Sequence, residues 1–329
     1  MKQLMEQIQR AVLEALPRPE QAERPEFGQY ARILREYPRR GGKMLRGQLV
    51  ILTARAYGDD TAALPAAAAI ELFQNWVLIH DDIEDDSEER RGEPALHRLF
   101  PMPLALNAGD GLHAAMWRVL VEAGARRKVL EEFARLVETT ASGQHLDLSW
   151  ALEGRFDLSA ADYMEMVERK SAYYTGAAPL RLGALSAGTL PHPAFSTAGI
   201  ELGTAFQIID DVLNLEGDHG TYGKEIAGDL WEGKRTLILI DFLSTAAAAD
   251  RARAKEILRK PRERKTAAEV AWLHERILAS GAVSRARQLA EEKAAAALAE
   301  LEDAFAGLPD QEAAAASIQL LRGLVERDK

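Results

Sequence analysis

Two stretches of this chain place side-chain oxygens at i, i+1 and i+4 directly after apolar runs. Asp81, Asp82 and Asp85 follow Trp76-Val77-Leu78-Ile79, and Asp210, Asp211 and Asn214 follow Phe206-Gln207-Ile208-Ile209. At about 100° per residue, each set falls within an arc of about 100° on one helix face. Such oxygen-bearing faces suit hard divalent cations such as Mg²⁺, which bind through carboxylates plus substrate phosphates. The fold this demands is one in which the two acidic helices face each other across a cavity, where helix bundles commonly build metal sites. A solvated helix end would explain one acidic run. The repeated spacing, with Arg90-Arg91-Gly92 after the first cluster and Gly217-Asp218 and Tyr222-Gly223-Lys224 after the second, argues for a diphosphate site. A calcium loop of the EF-hand type needs alternating ligands about a central glycine, and neither cluster has them.

The rest of the chain reads as helix. Leu4, Ile8, Val12 and Leu16 repeat at i+4 before Pro17, and Val270 to Phe305 is rich in strong helix formers. The alanine runs Ala66–Ala69, Ala246–Ala249 and Ala294–Ala297 are helix-compatible, and Thr236 to Ile240 is the nearest approach to a strand. With no Ser/Gly-rich linker in 329 residues of which 47% are hydrophobic, one large all-α domain over residues 1–329 is expected. Cysteine is absent, which excludes disulfides, thiolate zinc sites and a cysteine nucleophile. The net charge of −10 argues against general nucleic-acid binding. Leu182 to Ile200 lacks a formal charge but contains Pro191-His192-Pro193, so it predicts two buried helices around a turn and no stable membrane insertion. The N-terminus lacks an apolar secretory core, and a soluble, cytoplasmic protein is expected.

Fixed cations complete the pattern. Gly41-Gly42-Lys43-Met44-Leu45-Arg46 is a Gly-bounded turn with two cations able to grip a diphosphate without metal. Lys170-Ser171, Lys224 and Lys234-Arg235 stand beside glycine or small residues.

These blocks resemble the trans-isoprenyl diphosphate synthases of the polyprenyl synthetase family, over most of the chain. Gly41 to Arg46 resembles GGKxxR, Asp81 to Gly92 resembles DDxxD…RRG, and Phe206 to Asn214 resembles FQxxDDxxN. Asn107-Ala108-Gly109-Asp110, Gly143-Gln144-His145-Leu146-Asp147 and Lys170-Ser171 resemble the intervening blocks. Tyr222-Gly223-Lys224-Glu225, Gly228-Asp229 and Gly233-Lys234-Arg235-Thr236 resemble the trailing segment. Met44, Gly47, Glu93 and Ser171 depart from the family pattern, and Glu93 puts substrate affinity in question.

The resemblance implies a helical bundle of the isoprenoid synthase type with a central cavity. It further implies Mg²⁺-dependent head-to-tail condensation of isopentenyl diphosphate with an allylic diphosphate. Three Mg²⁺ ions would be held by Asp81, Asp82, Asp85, Asp210 and Asp211, with Asn214 as a further candidate. Arg90, Lys170 and Lys224 would assist on the allylic diphosphate, while Ser171 and Gln207 direct oxygen dipoles at the carbocation. Lys43, Arg46, Gln74 and Arg91 would hold isopentenyl diphosphate. No protein base is required. His80 is read either as a contact to the chemistry or as a buried polar residue with a hydrogen bond. The loop Gly217–Gly223 is expected to close over the site.

Product length is less legible. An ideal wheel favours Val77 and Phe73 as liners of the tail channel, whereas the resemblance points to Trp76 as its floor. Together these favour geranylgeranyl diphosphate (C20), with farnesyl diphosphate (C15) or a longer chain as alternatives. A class I terpene cyclase would not need the second cationic site, and a non-catalytic partner subunit would tend to lose one aspartate motif. A helical metal-dependent phosphohydrolase would show histidine ligands. A homodimer is expected from the resemblance alone.

Overall fold

The computed structural model describes residues 1–217 and 225–326. Among the described residues the chain is helical apart from loops and one two-residue antiparallel ladder, Glu89–Arg90 against Glu93–Pro94. The all-α expectation holds. Helix α1 (Lys2–Glu14) buries Leu4, Ile8 and Val12, the side chains its i+4 repeat puts on one face. Helix α2 (Pro25–Arg39) opens on a proline at its first position, where the missing N–H has no helical partner to lose. Met44, left-handed at φ 45°, turns the Gly41-Gly42 loop into α3 (Leu45–Ala56).

The two helices that carry the acidic motifs are α4 (Ala63–Glu84) and, after the short α5 (Leu96–Leu99), α6 (Met102–Glu122) and α7 (Arg127–Leu152), the later α10 (Ala194–Glu216). Both acid-bearing helices are apolar nearly all round, which places them inside the bundle. Helix α4 packs on α3 and α6. Helix α10 packs on Ala282–Ala306 and on a π-helical segment, Glu168–Ala177, inserted between α8 (Ala160–Val167) and α9 (Ala178–Ser186). The core falls into two apolar clusters, one around α1 to α4 and α6 and one around α10 and the C-terminal helices, with Ile200 and Leu320 packed against both.

The uncharged stretch from Leu182 forms α9 and the start of α10, joined through Pro191-His192-Pro193. Among the described residues no helix is long and apolar enough to cross a membrane. Leu237 to Ile240 is helical, within Leu237–Thr245, and Thr236 caps that helix by accepting a hydrogen bond from the Leu239 N–H. Two helix expectations need correction. The run Ala246–Ala249 interrupts helix: Ala246 and Ala247 are extended, with Arg251 Nη2 donating to Ala246 O at 2.9 Å and so capping the preceding helix. Val270 to Phe305 divides at Gly281, whose φ of 75° suits glycine and ends one helix before the next.

Glycines let the π segment sit against its neighbours backbone to backbone. A Cβ on Gly203 of α10 would lie 2.4 Å from Ala172 O, and one on Gly143 of α7 would lie 2.2 Å from Lys170 N. No side chain fits such gaps, so helices α7, π and α10 are locked at a separation that only glycine allows. Gly203→Ala is therefore expected to destabilise the protein by about 1–3 kcal/mol, the usual range for overpacking. Chemical denaturation measures it, and an unchanged midpoint would contradict the close packing.

Candidate active site

A cavity of about 610 Å³ lies between α4, α7, the π segment and α10. Along α4 its lining runs from Phe73 through Trp76 and Val77 to Asp81. At 1.5 Å per residue, the eight-residue step from Phe73 to Asp81 separates an apolar wall from a carboxylate by about 12 Å. Phe73, Trp76 and Val77 all line the cavity. Trp76 lies flat against His113 of α6, ring centroids 4.0 Å apart and 11° from parallel. Trp117 Nε1 donates to His113 Nε2 at 3.0 Å, which braces the imidazole from the next turn.

The first motif does not present one face. Asp81 points into the cavity, 3.2 Å from Lys170 Nζ and 3.4 Å from Arg90 Nη2, and accepts from Gln144 Nε2 at 3.3 Å. Burial would raise its carboxyl, yet Lys170, Lys234 and Arg90 outweigh this and hold it well below the usual carboxylate range. Asp82, one residue on, is turned about 100° round the helix. It is fully buried towards α2, where Tyr37 OH donates to Oδ2 at 2.5 Å and Arg90 Nε to Oδ1 at 2.8 Å. Of the three, Asp81 alone is on the cavity wall, a correction to the shared face expected of Asp81, Asp82 and Asp85. Asp85 follows the end of α4, its N–H still donating to Asp81 O at 2.9 Å. Its carboxylate meets Lys234 Nζ at 2.7 Å. Burial, against Lys234 and with Asp81 and Glu232 adding repulsion, pushes the Asp85 carboxyl well up.

In the second motif Asp210 and Asp211 line the cavity. Tyr163 OH donates to Asp211 Oδ2 at 2.7 Å and Gln207 Nε2 to Oδ1 at 2.9 Å. Burial, together with the nearby Asp229 carboxylate, raises Asp211 to about 8. Asn214 departs from the expected pattern: it is buried outside the cavity wall, and its Oδ1 accepts the N–H of Asp229 at 3.2 Å. It thereby holds Gly228–Glu232, and Asp229 reaches the cavity in its place.

The cations are shared between acids. Lys170 spans Asp147 (2.6 Å) and Asp81 (3.2 Å). Lys234 spans Asp85 (2.7 Å) and Glu232 (2.9 Å). Ser171 is buried in the wall, and its Oγ donates to Val167 O over a long 3.4 Å. Arg46, Gln74 and Arg91 line one side: Arg46 stacks on Tyr174 at 4.7 Å, Gln74 Oε1 is buried without a partner, and Arg91 Nη1 donates to Tyr37 O at 3.0 Å. Lys43 is exposed and lies outside the wall. Lys224 and residues 218–223 of the loop expected to close lie outside the described residues. His80 lines the cavity, but the hydrogen bond expected of it is not made, since Asp110 Oδ1 is 3.7 Å away. Of the departures from the family pattern, Gly47 donates its N–H to buried Glu71 at 2.9 Å, a bond proline could not make. Glu93 is exposed and 3.6 Å from Arg40, outside the cavity wall.

Sequence reasoning left Lys234, Asp229, Asp147, Tyr37 and Tyr163 without a role. The first three stood inside quoted blocks. The tyrosines carried no sequence signal, because their hydroxyls reach across helices. Among the described residues no trio of acidic or histidine side chains converges tightly enough to cage an ion unaided. The donor set nevertheless fits Mg²⁺: it is all oxygen, lies on facing helices, and is charge-balanced by lysines that a diphosphate could draw away. Asp81, Asp85, Asp210 and Asp211 would hold the ions, with Asp82 supporting from behind.

The sequence model for polyprenyl synthetase matches residues 28–277. The chain is 40% identical over 224 residues to a short chain isoprenyl diphosphate synthase of Methanothermobacter thermautotrophicus, covering 66% of this chain and 68% of that protein. It is 36% identical over 212 residues to a geranylgeranyl diphosphate synthase of Sulfolobus acidocaldarius, covering 62% and 63%. The crystal structure of geranylgeranyl pyrophosphate synthase from Corynebacterium glutamicum, complexed with isoprenyl diphosphate and magnesium, superposes with a TM-score of 0.85. It is 26% identical over 99% of both chains.

Tyr37→Phe should cost about 1–3 kcal/mol in a denaturant titration, because it strands both Asp82 Oδ2 and the Leu96 N–H that Tyr37 OH accepts at 2.9 Å. A loss below about 0.5 kcal/mol would mean that water replaces the hydroxyl.

Proposed function

Since this chain belongs to the polyprenyl synthetase family, we propose that it joins isopentenyl diphosphate head-to-tail to dimethylallyl, geranyl or farnesyl diphosphate. The product is an all-trans prenyl diphosphate, with geranylgeranyl diphosphate (C20) the principal one. The observation that carries this reading is the cavity itself. Carboxylates from α4 and α10 line it together with Lys170 and Lys234, and Phe73, Trp76 and Val77 continue its wall as an apolar surface.

Asp81, Asp85, Asp210 and Asp211 would hold Mg²⁺, three ions in this proposal, which would supply counter-charge for the pyrophosphate leaving group. The residues do the remainder. Lys170, Lys234 and Arg90 orient the allylic diphosphate and stabilise its negative charge as the C–O bond breaks. Lys224, outside the described residues, belongs to the same set. Ser171 and Gln207 direct oxygen dipoles at the cation that remains, and the apolar wall excludes water from it. Arg46, Gln74 and Arg91, with Lys43, hold isopentenyl diphosphate. Its double bond forms the new C–C bond to the cation, and the proton released goes to the departing pyrophosphate, so no side-chain base is needed.

Trp76 sets the length of the product. Its stack on His113, itself braced by Trp117, makes a stiff floor against which a growing chain stops. The size of that indole also supports C15 farnesyl diphosphate as a second reading. The same proposal takes residues 1–329 as one catalytic domain working in the cytoplasm as a homodimer. Exposed Met102, Leu106 and Val121 on α6 support an association surface.

Purified protein given isopentenyl diphosphate and each allylic primer should yield a linear C20 diphosphate by mass spectrometry, and only with Mg²⁺ present. Cyclic hydrocarbon or no turnover with any primer would overturn the reading. Asp81→Ala should lower turnover at least about a hundredfold with the fold intact by circular dichroism. Trp76→Ala should shift the product beyond that of the parent. An unchanged product distribution would remove Trp76 from the floor.

A further inference from the structure

Arg235 lines the catalytic cavity and also a second, smaller hollow of about 150 Å³. The wall of this hollow contains Phe156, Leu158, Leu239 and Leu243 together with three cations, Arg235, Arg251 and Lys255, and no carboxylate. Arg235 is 2% exposed. Its Nε donates to Arg155 O at 2.6 Å and its Nη1 to Gly233 O, while Nη2 is buried without a partner. Arg251 has the same deficiency at Nε, although its Nη2 bonds Ala246 O at 2.9 Å. Arg235, Arg259 and Lys255 all ride on the Phe156 ring, at 4.2, 5.2 and 5.5 Å from its centroid.

The acids nearby are committed elsewhere. Asp157 is exposed and paired with Arg155 at 3.0 Å, and Asp147 holds Lys170 at 2.6 Å. Burial pulls the Arg235 guanidinium down to about 10, with Asp147 opposing and Arg259 adding to the effect. A buried guanidinium without a counter-ion is costly, and cation–π contact offsets only part of that cost. No carboxylate on the wall of the hollow balances its three cations.

We propose that this hollow is a binding site for a small tetrahedral oxyanion, inorganic phosphate or pyrophosphate. A hollow of about 150 Å³ has room for such an anion. Arg235, Arg251 and Lys255 supply the positive charge on its wall, and Arg235 Nη2 and Arg251 Nε, closed off from solvent, come into play as donors once their side chains shift towards the anion. Occupancy ties the helices Leu237–Thr245 and Ala248–Leu258 to the Gly233 turn. That turn also carries Lys234, so the anion fixes from behind the residue that reaches Asp85.

The test is thermal unfolding of the full chain in EDTA, without prenyl substrate, against phosphate, pyrophosphate and chloride at matched ionic strength. Phosphate or pyrophosphate should raise the midpoint saturably by at least about 2 °C. Whichever saturates at the lower concentration is the preferred ligand. The rise should persist in Arg46→Gln, which alters only the catalytic cavity, and vanish in the Arg251→Gln/Lys255→Gln double variant, whose turnover without added anion stays at the parent level. Lys255→Gln alone, at a half-buried position, should weaken the response at least threefold and serves if the double variant does not fold. Equal midpoint shifts in parent and double variant, or no shift beyond chloride in the parent, would overturn the proposal.

Discussion

Every helix around the cavity is positioned by one electrostatic constraint: carboxylates lifted out of bulk water need partners. Lys170 ties α4 to α7 by spanning Asp81 and Asp147, and Lys234 ties the end of α4 to the segment after α10 by spanning Asp85 and Glu232. Asp82 and Asp211 are instead held by tyrosine hydroxyls, from Tyr37 and Tyr163. A buried acid that loses its partner is strongly destabilising, so these pairs fix the relative placement of the helices before any substrate arrives. They also leave the site poised. A diphosphate offers the lysines a stronger partner, and metal ions offer the aspartates one, so both exchanges can occur together on binding.

Close backbone packing converts that poise into geometry. The π segment puts Lys170, Ser171 and Tyr174 on the cavity wall while its own backbone touches α7 at Gly143 and α10 at Gly203. On α6, Gly109 leaves room for the His80 side chain of α4, since a Cβ there would lie 2.4 Å from His80 Nε2. That approach brings His113 under Trp76 and builds the apolar floor. Donors and dipoles fixed in advance need no reorganisation during the reaction, which is where such sites gain most of their rate.

Much of this was legible in the residues. The fold class followed from helical periodicity, and part of the cavity wall, Asp81, Asp210 and Asp211 with Phe73, Trp76 and Val77, followed from the aspartate pairs and the apolar run before the first of them. The misreadings share a cause. Asp82 and Asn214 sit at motif positions, yet one turns towards Tyr37 and Arg90 and the other caps Gly228–Glu232. A wheel treats a 100° arc as one face, whereas a neighbouring helix divides it into a wet side and a packed side. Asp147 and Lys234 stood in plain sight, but the contacts that bring them to the site, Lys170 with Asp147 and Lys234 with Asp85, join segments far apart in the chain.

What the sequence alone determined is the local order. Spacing along each helix, the apolar run ahead of each acid and the glycines between blocks all follow from short-range periodicity and from the absence of a Cβ. What only the tertiary structure decided is who meets whom. Lys170 with Asp81, Lys234 with Asp85, Trp76 with His113 and the unpaired Arg235 beside Arg251 each join distant segments. Charge and ring contacts of that kind depend on helix separation and crossing, which residue periodicity along one helix does not contain.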